Sequence, residues 1–181
     1  MARETDPKEA AQRVLKRAKV SVAPVDVDAV ASTCGAVVSY EPFDDNLSGV
    51  LVKKKARVVI GVNSSHSKTR QRFTIAHELG HLELQHQGEV FVDETMKSQA
   101  MIIKRDQRSS QATDPKEVQA NRFAAELLMP DTLVLEAFLR NVDKKAKIEP
   151  SELIANLAEE FKVSAQAMEY RLTNLGICMP R

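Results

Sequence analysis

The sequence predicts an α+β fold: a small sheet containing an antiparallel pair is packed on one central helix, and a helix-turn-helix-like pair of helices follows. Three observations carry this. Runs rich in β-branched residues, AVVSYEPF, SGVLVK and RVVIGVN, succeed one another between residues 36 and 63. A long stretch of helical period, QRFTIAHELGHLELQH from Gln71 to His86, comes next. Later, Asp114-Pro115 and Pro150-Ser151 each open a segment of helical period.

Composition sets the frame. The 181 residues suffice for one domain with its own core and a small appendage. Lys and Arg number 26 against 25 Asp and Glu, so a net charge of +1 gives no global attraction to nucleic acid or an anionic membrane. Cys34 and Cys178 form no C-x-x-C pair and read as reduced thiols of a cytoplasmic protein. No apolar run reaches about 18 residues, and MARETDPKEAAQRVLKRAKV lacks the apolar core of a signal peptide, so neither export nor a membrane span is expected.

In chain order, Asp6 caps and Pro7 starts a helix to about Lys19, with Ala11, Val14, Leu15 and Ala18 inward. Its Lys8, Arg13, Lys16 and Arg17 read as a solvated face rather than a nucleic-acid patch. Pro24 breaks the chain, and Val25 to Cys34 forms a short helix closed by Gly35. Strands are expected over Ala36–Phe43, Ser48–Lys53 and Arg57–Asn63, the last two as an antiparallel hairpin with a lysine-rich tip that protects an edge. Asn63-Ser64-Ser65-His66-Ser67 turns the chain into the central helix, a serine serving as N-cap, and Gly88 ends that helix just beyond His86. Glu89–Asp93 and Met101–Arg105 read as short strands and Asp106–Thr113 as loop. Asp114-Pro115 then opens a helix to Met129, stopped by Pro130. Helices over Asp131–Asn141, Pro150–Phe161 and Ser164–Leu175 follow, with Asp143–Lys147 as a linker.

The central helix holds His77-Glu78-x-x-His81. Residues four apart share a helix face, so the two imidazoles can grip one metal ion while Glu78 leans over the adjacent open position. Shuffling this composition gives the pattern in roughly one chain in two hundred, which makes chance a poor explanation. Ile75, Leu79 and Leu82 form an apolar stripe and Phe73, Ala76, Gly80 and Leu84 flank the histidines, so the helix is mostly buried and its histidines need partners. Gly80 costs about 1 kcal/mol relative to alanine inside a helix, a cost that makes sense if another element packs there.

The helix from Pro115 offers the third ligand. Glu117, Ala120, Asn121, Ala124 and Leu128 share one face, on which Glu117 is the only charge; Glu126 lies opposite, where water can solvate it. Ala120 and Ala124 allow a close approach over Gly80 that brings Glu117 to the metal. His77, His81 and Glu117 with one open position are the ligand set of zinc peptidases, and Glu78 is the candidate catalytic base. Projected along an ideal helix, His86 falls away from the face of His77 and His81 and is not expected in the site. Tyr170, Arg105 and His66 are candidates for stabilising a tetrahedral oxyanion.

These motifs resemble the ImmA/IrrE family of bacterial and phage metallopeptidase-like proteins. The resemblance rests on RQRFTIAHELGHLEL (Arg70 to Leu84), KRDQRSS (Lys104 to Ser110), DPKEVQANRFAAELLMP (Asp114 to Pro130) and the earlier VAPVDVDAVASTCGAVV. It implies a zincin-like fold, zinc held by His77, His81 and Glu117, and an endopeptidase that acts on an Xre-type helix-turn-helix repressor. Residues 1–143 would then be the metallopeptidase domain and 144–181 a helical subdomain packed on it. In one departure, Leu84-Gln85-His86 stands where related proteins often have a histidine-leucine-histidine-like ending.

The last two helices have the register of a helix-turn-helix, but the second carries only Arg171 as a basic side chain. Reading DNA asks for more phosphate contacts, so packing against the peptidase core is the expected role. The competing function is a non-hydrolytic, zinc-containing regulator that binds the repressor or DNA. Glu78, which a purely structural site does not need, favours the enzyme.

Overall fold

The computed structural model describes residues 5–54, 57–86, 114–144 and 148–177. Among them are seven helices and three strands: α1 (Pro7–Arg17), α2 (Val27–Thr33), β1 (Ala36–Glu41), β2 (Gly49–Lys54), β3 (Arg57–Asn63), α3 (Lys68–Glu83), α4 (Pro115–Leu128), α5 (Asp131–Lys144), α6 (Pro150–Phe161) and α7 (Ala165–Asn174). The strands expected at Glu89–Asp93 and Met101–Arg105, and the loop to Thr113, lie outside the described residues. No helix among the described residues is long and apolar enough to cross a membrane.

The sheet has the order β1-β3-β2. The expected hairpin is present, β2 and β3 running antiparallel with Gly49 opposite Val62 and Lys54 opposite Arg57. β1 lies parallel on the other side of β3, Ala36 opposite Val58. As the middle strand, β3 buries its last four residues, Ile60 to Asn63. Asn63 is polar and fully buried, so its amide must be paired. Its Nδ2 donates to the carbonyls of Phe43, Asp44 and Leu47, and its Oδ1 accepts from the Ser65 N–H. That knot fixes the turn into α3. Gln71 of α3 then donates back to the carbonyls of Asn63, Ser64 and His66, and Ser67 caps the helix by accepting from the Arg70 N–H.

The core forms where α3 meets the sheet and α4. Ile75, Ala76 and Leu79 of α3, Ile60 and Val62 of β3, and Phe123, Ala124 and Leu127 of α4 are all sealed from solvent. Each larger aliphatic or Phe side chain buried this way contributes about 1.5–3 kcal/mol. Leu153, Leu157 and Phe161 of α6 and Met168 and Leu172 of α7 join the same cluster.

Helix starts fall close to their capping residues, whereas the end of α3 does not match expectation. It stops at Glu83 instead of continuing to Gly88, with Leu84 as C-cap and Gln85 in the left-handed region at φ +54°.

Candidate metal centre

The site is assembled by two helices that nearly touch. A Cβ placed on Gly80 would lie 3.1 Å from both the Cα and the carbonyl oxygen of Ala120, and 3.2 Å from Cδ1 of Phe123. Glycine at position 80 therefore lets α4 pass directly over α3. Asp114 caps α4 by accepting from the Lys116 N–H, and Pro115 sits at the first helical position. Glu117 falls in the first turn, where the helix dipole favours a carboxylate.

These placements bring the three expected ligand side chains together. His77 Nε2 and His81 Nε2 are 3.0 Å apart, Glu117 Oε2 is 3.2 Å from the first, and Glu117 Oε1 is 3.4 Å from the second. Metal bonds of 2.0–2.1 Å at tetrahedral angles separate neighbouring ligand atoms by about 3.3 Å, so the observed spacings suit one shared ion. The donor chemistry agrees. Asn121 Oδ1, which can only accept, lies 2.9 Å from His77 Nδ1, so that nitrogen carries the hydrogen and Nε2 keeps its lone pair for a cation. Glu78, the residue after His77, is 4 % exposed.

Two expectations are corrected here. His86 does not fall away from the site: its Nδ1 is 3.1 Å from His81 Nδ1, and its Nε2 is 2.7 Å from Gln119 Oε1. The early end of α3 and the left-handed Gln85 swing it back over the helix. Burial pushes the His86 imidazole below the ordinary histidine value, outweighing the hydrogen bond to Gln119 that favours the charged form. Nor is Glu126 solvated. It is 8 % exposed, and its two oxygens each accept from Arg171 of α7 at 2.7 Å, while Arg171 Nε donates to the Met129 carbonyl at 2.8 Å.

Beside the cluster lies a cavity of about 440 Å³, lined by Phe73, Leu128, Met129, Val163, Ala167 and Tyr170 among others. Phe73 on its wall has its ring centroid 6.0 Å from that of His77. Of the three oxyanion candidates, Tyr170 lines this cavity and is 64 % exposed. His66 Nε2 is engaged with the Asp45 carbonyl at 3.1 Å, and Arg105 lies outside the described residues. Gln119 and Asn121 were not expected in the site, although Asn121 shares the face of α4 that carries Glu117.

The peptidase M78 family model, an IrrE N-terminal-like domain, matches residues 31–173. None of the curated proteins matches the chain.

Proposed function

The chain belongs to the ImmA/IrrE family of metallopeptidases, and from that premise we propose that it is a zincin-like, zinc-dependent endopeptidase that cleaves an Xre-type helix-turn-helix repressor in the cytoplasm. One observation carries the reading: the ligand atoms of His77, His81 and Glu117 all lie within 4.8 Å of one another, and the residue that follows His77 is the buried Glu78. The repressor as substrate comes from the family resemblance, and the free thiol of Cys34 accords with a reducing compartment.

His77 and His81 would hold zinc through Nε2, and Glu117 through its carboxylate. When bound, zinc supplies polarisation of the scissile carbonyl and a water of pKa about 7. The Glu78 carboxylate takes the proton of the attacking water and delivers it to the nitrogen of the leaving amine. The Tyr170 hydroxyl donates to the oxyanion that develops on the carbonyl. β2, at one end of the sheet order among the described residues, offers main-chain groups to an extended substrate, and the cavity beside Phe73 accepts one of its apolar side chains. We read residues 1–143 as the metallopeptidase domain and 144–181 as a helix-turn-helix-like subdomain docked on it. The Glu126–Arg171 pair supports docking over DNA reading, because it withdraws α7's one basic side chain from the surface.

Co-expression with an Xre-type repressor and a reporter of its promoter tests the reading. Glu78→Gln is expected to leave the repressor intact and its promoter silent while wild type cleaves it. Full derepression by Glu78→Gln would replace hydrolysis with sequestration.

A further inference from the structure

The way α3 ends recruits a third histidine. The His86 N–H donates to the His81 carbonyl at 3.0 Å and the Gln85 N–H to the Leu82 carbonyl at 3.2 Å, closing the helix in a Schellman turn around the left-handed Gln85. Such a turn commonly packs the residue after the left-handed one on a residue of the last helical turn, through an apolar contact. Here the two residues are His86 and His81, and the contact is a ring-to-ring hydrogen bond.

The hydrogens in this chain can be assigned from its far end. Gln119 Oε1 only accepts, so His86 Nε2, 2.7 Å away, carries the hydrogen. A neutral His86 then keeps a lone pair on Nδ1. The facing His81 Nδ1, at 3.1 Å, must therefore be the donor, which leaves His81 Nε2 with its lone pair directed at His77 and Glu117. Asn121 imposes the same tautomer on His77. Both anchors, Gln119 and Asn121, come from α4, the helix that supplies Glu117.

We infer that His86, braced by Gln119, is a positioning residue that locks His81 in the Nδ1–H tautomer required of a ligand, as Asn121 does for His77. The inference rests on the metal-site reading above. Without that acceptor, His81 loses the contact that holds its hydrogen on Nδ1, and a hydrogen on Nε2 would oppose a cation. Loss of such an outer partner typically costs 10–100-fold in metal affinity.

The test is zinc affinity of the full chain, by competition with a chromophoric chelator, with thermal melting of each metal-free variant alongside. His86→Leu is expected to weaken zinc by about 10–100-fold without lowering the metal-free melting temperature. His86→Asn, whose Oδ1 replaces the Nδ1 acceptor, is expected to recover most of that loss. Gln119→Leu, which removes the brace without altering the end of α3, is expected to weaken zinc in the same direction by a smaller factor. Unchanged affinity in both His86→Leu and Gln119→Leu, or equal losses in His86→Leu and His86→Asn, overturns the inference and leaves the ligand set standing. A wild-type chain that binds no zinc, or a His81→Ala variant that binds it as tightly as wild type, overturns the site itself.

Discussion

Glu117 and Glu78 have different tasks in the proposed reaction, the first as ligand and the second as base. Glu117 faces both Nε2 atoms, so Glu117→Ala, like His81→Ala, is expected to weaken zinc by more than the roughly 100-fold an outer partner commands. Metal analysis after gel filtration checks it; near-stoichiometric zinc in either variant would contradict the assignment. Tyr170→Phe is expected to lower kcat about 10²–10³-fold with metal content unchanged, the size of effect seen when one oxyanion donor is lost. A kcat equal to wild type would remove Tyr170 from the chemistry. The meeting of His77, His81 and Glu117 was legible because helical spacing puts the two histidines on one face of α3 and Glu117 on the small-residue face of α4 that packs over it. His86 was not, because ideal geometry was extended past Gln85, and a glutamine gives no warning of the left-handed turn that glycine usually marks.

At the scale of elements, the site depends on how closely α4 crosses α3. Gly80→Ala would gain about 1 kcal/mol of helix propensity. Its methyl, however, would press on the backbone of Ala120, and overpacking of this kind costs about 1–3 kcal/mol. The expected net result is a loss of about 1 kcal/mol, with weaker zinc binding as α4 carries Glu117 outward. Denaturant unfolding measures the first and chelator competition the second; a more stable variant with unchanged affinity would contradict the account. The crossing could be anticipated from Gly80 and Ala120, but the Phe123 ring that also lies close to Gly80 was not. Helix starts were readable at Asp6, Asp114 and Ser164, and at α3 as one of three nearby serines, of which Ser67 is the cap; in each a short polar side chain accepts from the first turn. The pairing of β1 with β3 had no local signal, since a parallel partner is chosen by the tertiary fold and not by a turn.

Across the whole molecule, Glu126 and Arg171 join α4 to α7 through a buried, two-pronged ion pair between residues 45 positions apart. Such separation leaves no trace in local pattern, which is why Glu126 was read as solvated. Arg171→Met is expected to cost about 3–5 kcal/mol by stranding a buried carboxylate, and adding Glu126→Leu is expected to return most of it. Equilibrium unfolding of the two variants decides this; equal losses in both would mean that packing, not charge, is what Arg171 supplies. The proposed reaction needs one metal ion and one carboxylate base on α3 to cleave a protein substrate. It is tested most directly by purifying wild type and Glu78→Gln, measuring zinc per chain, and following cleavage of the purified repressor. About one zinc in each protein, cleavage by wild type alone, and loss of that cleavage when a chelator strips the metal are the expected results. Cleavage by Glu78→Gln at the wild-type rate, or by wild type freed of metal, would contradict it.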